Sequence, residues 1–255
     1  MAIGKSTTSL VLSDIHFPYQ DKKCWKAVKS FIQTNAIKDV YLNGDIFDLE
    51  ALSTFLKGKD SAPHIVPEMK QGVSEINWIQ EHILGHVYFI PGNHEARWDK
   101  VLTAAFGPAS KDLKLLSFGE QLYAQGMNKK VKYTPESIHN IGCRVGQFVI
   151  RHGDKQSSRY GGGNNVAANR IRKTMGSSEI VGHYHVAQMM SQSFDGNTAI
   201  AIANPCLTGP HAYATGASWQ QGFTILEQAS CGWVTPFVVV MHKSKFSYAG
   251  KVYCG

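Results

Sequence analysis

Ser9-Leu10-Val11-Leu12 runs directly into Ser13-Asp14-Ile15-His16: four residues suited to a short buried strand, then two side chains able to hold a metal ion. The same arrangement recurs twice. Asp39-Val40-Tyr41-Leu42 leads into Gly44-Asp45-Ile46-Phe47-Asp48, and Val87-Tyr88-Phe89-Ile90 leads into Pro91-Gly92-Asn93-His94-Glu95. Between these strands the apolar residues fall at helical spacing. Trp25, Val28, Phe31 and Ile32 mark a helix over residues 22–35, and Met69, Val73, Ile76, Ile79 and Ile83 mark another over residues 67–84. Strand–helix alternation of this kind predicts parallel βαβ units.

Beyond residue 138 strands dominate. Residues 144–151 read as one strand ending at His152-Gly153-Asp154. A glycine-rich turn at residues 160–163 leads into a helix through Met175, and residues 179–181 form a strand ending at Gly182-His183-Tyr184-His185. Further strands are expected at 186–194, 198–203, 222–227 and 234–241, with the segment 242–255 as a C-terminal edge strand. Residues 106–136 are mixed and basic, a variable segment near the strand ends. No repeat, long linker or low-complexity tract divides the chain. The expectation is one α/β domain over residues 1–255: two mixed β-sheets packed face to face, with helices outside, a four-layer α-β-β-α sandwich.

At 255 residues, 43% of them hydrophobic, the chain can bury a sizeable core. No apolar stretch approaches transmembrane length, so no membrane partner is expected. The first residues do not read as a signal peptide. The five cysteines, Cys24, Cys143, Cys206, Cys231 and Cys254, are odd in number and widely spaced, which argues against a disulfide framework or a zinc finger. A reducing, cytoplasmic location fits. The net charge of +7 attracts polyanions.

Ligands of open α/β sheets sit at the carboxyl ends of the strands. That rule puts Asp14, His16, Asp45, Asn93, His152, His183 and His185 on one rim. Asp14 and His16, two apart, point the same way. Seven such side chains suffice for two ions sharing one carboxylate. Mixed oxygen and imidazole donors suit manganese first, then iron, zinc or nickel, rather than calcium. Two-metal sites cleave phosphate esters.

The five motifs, in this order, resemble those of the calcineurin-like metallophosphoesterase superfamily over about residues 8–205. The resemblance implies that Asp14, His16 and His185 hold one metal, that Asn93, His152 and His183 hold the other, and that Asp45 bridges them. It implies in-line attack on phosphorus by a metal-bridging hydroxide. His94 would be the general acid, oriented by the Asp48 carboxylate. Glu95 is expected to serve a helix N-terminus rather than the metals, and Asp154 either supports a ligand or makes a turn.

Phe17 after His16, and Leu49-Glu50 after Asp48, depart from the pattern of the superfamily's protein phosphatases. Gly-Asp-Ile-Phe-Asp looks more like its phosphodiesterase and nuclease branch. The leading expectation is therefore a phosphodiesterase acting on DNA, RNA or a nucleotide. A phosphomonoesterase or protein phosphatase is the alternative, and a non-catalytic metal-binding module is a remote third. Arg97 and Arg159 are candidate substrate-binding residues. They are joined by a basic stretch of Arg151, Lys155, Arg170, Arg172 and Lys173, and by a loop over residues 157–163 whose amides suit phosphate. Phe17, Tyr19, Trp98, Tyr160 and Tyr184 flank the motifs and serve either base stacking or packing. A short chain of this style resembles phage-encoded members, which would place it in a host cytoplasm. Monomer and sheet-edge homodimer both stay open.

Overall fold

The computed structural model describes residues 4–53, 64–135, 142–154, 165–174, 176–209 and 219–255. Strand β1 (Thr7–Leu12) sends Leu10 and Leu12 to one side and Val11 to the other, all fully buried. A strand apolar on both faces belongs in the middle of a covered sheet. Leu10 and Leu12 pack in a core with α1 (Lys22–Thr34) and α2 (Ile65–His82), while Val11 packs in a second core toward the other sheet. Helix α1 starts where Asp21 accepts hydrogen bonds from the amides of Lys23 and Cys24.

β1, β2 (Ile37–Asn43), β3 (Val87–Ile90) and β4 (Lys132–Tyr133) are parallel neighbours. On the far side of β1 lie β10 (Gly222–Gln228) and then β11 (Val234–Val240), each antiparallel to its neighbour. The second sheet runs β5 (Cys143–Val145), β6 (Phe148–Arg151), β7 (Ser178–Val181), β9 (Asn197–Ala203), β8 (Gln188–Phe194), with β6, β7 and β9 parallel. Val11, Tyr41 and Ile90 of the first sheet meet Phe148, Ile150, Ile180 and Ile202 of the second. Outside the second sheet, Ala167 and Ile171 of α5 (Val166–Lys173) pack on Ala199 and Ala201. The result is the expected four-layer α-β-β-α sandwich.

Two readings change. Residues 144–151 form two antiparallel strands, β5 and β6, because Gly146 adopts a left-handed φ of 52° and turns the chain. The tail is no edge strand of a large sheet. Among the described residues its strands β12 (Lys245–Tyr248) and β13 (Lys251–Cys254) form a two-stranded sheet of their own. Phe246 and Tyr253, stacked at 5.0 Å, close over Phe31 of α1. Residues 106–135 hold the end of α3 (Ala96–Phe106), two short 3-10 turns, α4 (Phe118–Ala124) and β4. Among the described residues no helix is long and apolar enough to cross a membrane.

Candidate metal centre

The parallel strands β1, β2 and β3 of one sheet and β6 and β7 of the other end at a common rim, and the chain turns sharply there. Asp14 and His16 take φ values of 53°, Asp45 49°, His183 69° and His185 55°. Left-handed backbone in a non-glycine residue costs roughly 1–3 kcal/mol and gathers at functional sites. The turns are sewn together: Asp14 donates its amide to the carbonyl of Gly44, and His16 to that of Asp45, both at 3.0 Å.

Three clusters of donor atoms result, each with its atoms within 4.8 Å of one another: Asp14, His16 and His185; Asp45, His152 and His183; and His16, Asp48 and His94. Asn93 joins the second, its Oδ1 3.1 Å from Nε2 of His152. All seven ligand candidates therefore meet at the rim.

The imidazoles are oriented as ligands are. His152 donates from Nδ1 to the carbonyl of Asn43 at 3.0 Å, which turns Nε2 toward Asp45 Oδ2, 3.1 Å away. Nδ1 of His16 donates to Oδ1 of Asp48 at 2.9 Å. A hydrogen bond at the far nitrogen fixes the tautomer that leaves the near one free to bind metal. Burial lowers His16 and His183 below the ordinary imidazole pKa and keeps them neutral. Burial also pushes Asp14 and Asp45 upward, but His185 beside the first and His152 beside the second outweigh it, and both stay ionised. His152 answers in kind: burial opposes its charge, yet Asp45 raises its pKa to about 10. Two buried carboxylates with four imidazoles, two of them oriented from behind, and an amide oxygen form a donor set that fits divalent transition metals.

His94 sits beside the clusters, with Nδ1 2.6 Å from the backbone carbonyl of Asp48 and Nε2 3.0 Å from a guanidinium nitrogen of Arg97. A carbonyl only accepts and a guanidinium only donates, so Nδ1 carries the hydrogen and Nε2 accepts. The sequence reading gave the Asp48 carboxylate to His94. Its Oδ1 lies 3.5 Å from His94 but hydrogen-bonds His16, and the carbonyl of Asp48 is what holds His94.

Glu95 occupies the residue before α3, but its side chain does not cap that helix. It accepts hydrogen bonds from the amides of Asp45, Ile46, Phe47 and Gly92 at 2.7–3.0 Å, binding the second motif to the third. Sequence reasoning missed this role. It missed Asn43 and Trp219 as well; the latter's ring lies 4.4 Å from that of His185. Glycines mark the tight spots. A Cβ on Gly44 would overlap the His152 ring, and one on Gly92 would overlap Asp45.

Two residues of the basic stretch serve the fold, while Arg172 and Lys173 are exposed. Arg151 and Arg170 both pair with the buried Glu179, which lies just past the stretch in sequence, so their charge is spent in the fold. Lys155, Arg159, Tyr160 and the loop 157–163 lie outside the described residues. Arg97 also donates to the carbonyl of Asp48 at 2.7 Å, and with Asn93 it lines a cavity of about 280 Å³ completed by Leu52, Ser53, Lys100, Val101 and Ala104. Of the flanking aromatics, Phe17 is buried against Trp25, Tyr19 donates to Glu50, and Trp98 donates to the carbonyl of Leu116. Tyr184 packs edge-on against His183.

Known proteins align with this arrangement. A family model for the calcineurin-like phosphoesterases matches residues 7–224. Gene 54 protein of Mycobacterium phage L5 is 26% identical and that of phage D29 is 24% identical, each alignment covering 96% of this chain and 97% of the relative. Among solved structures, Vacuolar Protein Sorting 29 of Cryptosporidium parvum aligns over 98% of this chain and 96% of its own, with 14% identity and a TM-score of 0.48. The D62A mutant of Vps29 from Entamoeba histolytica covers 98% and 97%, with 15% identity and a TM-score of 0.45. The match over most of the chain shows that it belongs to the calcineurin-like phosphoesterase family of metal-dependent enzymes.

Proposed function

We propose that the protein is a two-metal phosphodiesterase acting on nucleic acid or nucleotides. The observation that carries the reading is the pair of adjacent clusters, Asp14–His16–His185 and Asp45–His152–His183, each able to hold one ion. Asn93 would complete the second, and Asp45, between them in the chain of contacts, would serve both. When bound, two such ions supply Lewis acidity toward phosphate oxygens and lower the pKa of water. Manganese, iron, zinc and nickel all suit these donors.

The chain's own residues supply the rest. His94 is the group placed to give a proton to the leaving oxygen through Nε2. That nitrogen accepts from Arg97. Arg97 must therefore let go before Nε2 can carry a proton, and a phosphate is the partner that draws a guanidinium away. In this reading Arg97 moves from His94 to a phosphate oxygen when substrate arrives, while the Asp48 carbonyl keeps the imidazole in place. The cavity beside Asn93 and Arg97, with Val101 and Ala104 on its wall and Lys100 near by, supports a diester: it offers room for the ester group beyond the phosphate.

The test is hydrolysis by metal-stripped protein reloaded with manganese, comparing bis-p-nitrophenyl phosphate with p-nitrophenyl phosphate. Strong diester cleavage, abolished in Asp45→Asn and reduced in His94→Ala, supports the proposal and leads to single- and double-stranded DNA. Preference for the monoester replaces it with a phosphomonoesterase. Two bound metals and no turnover of either ester would count for a binding module.

A further inference from the structure

Away from the rim, the two sheets part at one side. The edge strand there is β4 in the first sheet, only two residues long, and β5 in the second, only three. Between them opens a cavity of about 610 Å³, lined by Tyr41, Tyr88, Tyr123, Lys129, Lys132 and Arg144 among others. This is the size of a small-ligand site.

Strand register builds its floor. Tyr41 of β2 pairs with Tyr88 of β3, and Tyr88 pairs with Lys132 of β4, so the three side chains form one row on the face turned toward the second sheet. The two tyrosine rings stack at 5.0 Å and 10°. Tyr41 is 6% exposed, and among the described residues neither phenol oxygen is buried without a hydrogen-bond partner. Burial raises the pKa of both phenols, so they remain donors. Lys129, Lys132 and Arg144 stand exposed at the mouth, and none forms an ion pair among the described residues.

We propose that this opening is a second binding site, for a phosphorylated nucleobase. The base would stack on the Tyr88–Tyr41 pair, and the phosphate would meet Lys129, Lys132 and Arg144. Tyr41 and Tyr88 each lie two residues back from the end of their strand and four and five residues before Asp45 and Asn93, at most roughly 13–17 Å of extended chain from the metal-binding rim. The ligand is either a free nucleotide or one unit of a single strand. The site goes beyond the proposed hydrolysis and does not depend on it.

Photocrosslinking tests it on the full chain, with a chelator present so that nothing is hydrolysed. The probes are 5-iodouridine monophosphate and an oligouridylate carrying one 5-iodouracil, with inorganic phosphate as competitor. Adducts mapped by fragment sequencing to Tyr41 or Tyr88 themselves are expected, and whichever probe saturates at lower concentration identifies the source. The surface variant Lys129→Glu/Arg144→Glu should weaken binding at least tenfold. Tyr88→Leu should weaken it several-fold without changing the salt dependence. Adducts mapped only to residues 14–16, 93–98 or 183–185 would overturn the proposal. So would unchanged binding by the double charge reversal, or competition by inorganic phosphate as effective as by unlabelled nucleotide. The charge reversals change exposed side chains only, so they decide the matter even if Tyr88→Leu does not fold.

Discussion

Oε1 of Glu95 accepts the backbone amide of Ile46 at 2.8 Å, although the two residues belong to different motifs that follow different strands. The same carboxylate takes the amides of Asp45, Phe47 and Gly92. A single buried side chain thus holds the turn that carries Asp45 against the turn that carries Asn93. Glu95→Ala should destabilise the protein by at least about 2 kcal/mol, because several buried amides lose their acceptor. It should also weaken metal uptake about 10–100-fold, as loss of supporting partners does. Urea denaturation and calorimetric metal titration read the two effects. Full retention of both would mean that the loops are held by something else.

Arg97 rests on His94 and the carbonyl of Asp48. If it leaves them for phosphate, Arg97→Ala should lower kcat/KM for a diester about 100-fold, the scale of losing one charged donor to the transition state. The melting temperature should barely move. Arg97→Lys should recover little, since an ammonium lacks the planar fork. Steady-state kinetics on all three proteins would reveal a purely structural arginine as an unchanged kcat/KM.

Asp48 offers its carboxylate to His16 and its carbonyl to His94. Asp48→Asn keeps the carbonyl and loses the charge. It should cost about 10–100-fold in metal affinity through His16. The limb of the pH–rate profile that reports the proton donor should stay where it is. A large displacement of that limb, with metal affinity intact, would return the carboxylate to His94.

Glu68 is buried and accepts the amide of Leu49 at 2.7 Å. Burial raises its pKa from an ordinary 4.5 to about 8. Between those values the unfolded chain has released the proton that the folded chain keeps, so stability falls as pH rises through the window. Glu68→Gln should remove that share of the slope. Urea midpoints at several pH values between about 5 and 8 give the comparison for the two proteins. Parallel slopes would show that Glu68 ionises normally in the fold.

Gly44 has a φ of 77°, and its α-carbon faces the His152 ring. Gly44→Ala therefore combines backbone strain with a direct overlap. A loss of about 2 kcal/mol or more is expected in urea denaturation, together with failure to fill the metal centre.

Much of this was legible from local pattern. Buried strands, helical spacing and a polar motif at each strand end predict the parallel half of the first sheet, because a strand covered on both faces writes a continuous apolar run. What stayed hidden depends on partners distant in sequence. Arg151 and Arg170 look like a substrate surface until Glu179 is seen between them. Glu95 works through backbone amides, which leave no trace in residue types. The carbonyl that holds His94 is likewise invisible, whereas the carboxylate of the same Asp48 draws the eye. The tail's weak alternation shows a strand face but not its covering partner, which turned out to be an aromatic cluster on α1.

β1 is hydrogen-bonded on one side by β2, next to it in the sequence, and on the other by β10, which a ribosome makes far later. The β12–β13 hairpin that covers Phe31 comes later still. A nascent chain can thus assemble the βαβ half of its first sheet early, but one edge of β1 and one face of α1 stay bare until nearly all of these residues have emerged. Native pairing of this kind, between distant segments, slows folding. Through that interval the exposed strand edge is open to a neighbouring chain, which makes translation speed and chaperone supply, more than the melting point of the finished molecule, the conditions that govern its yield.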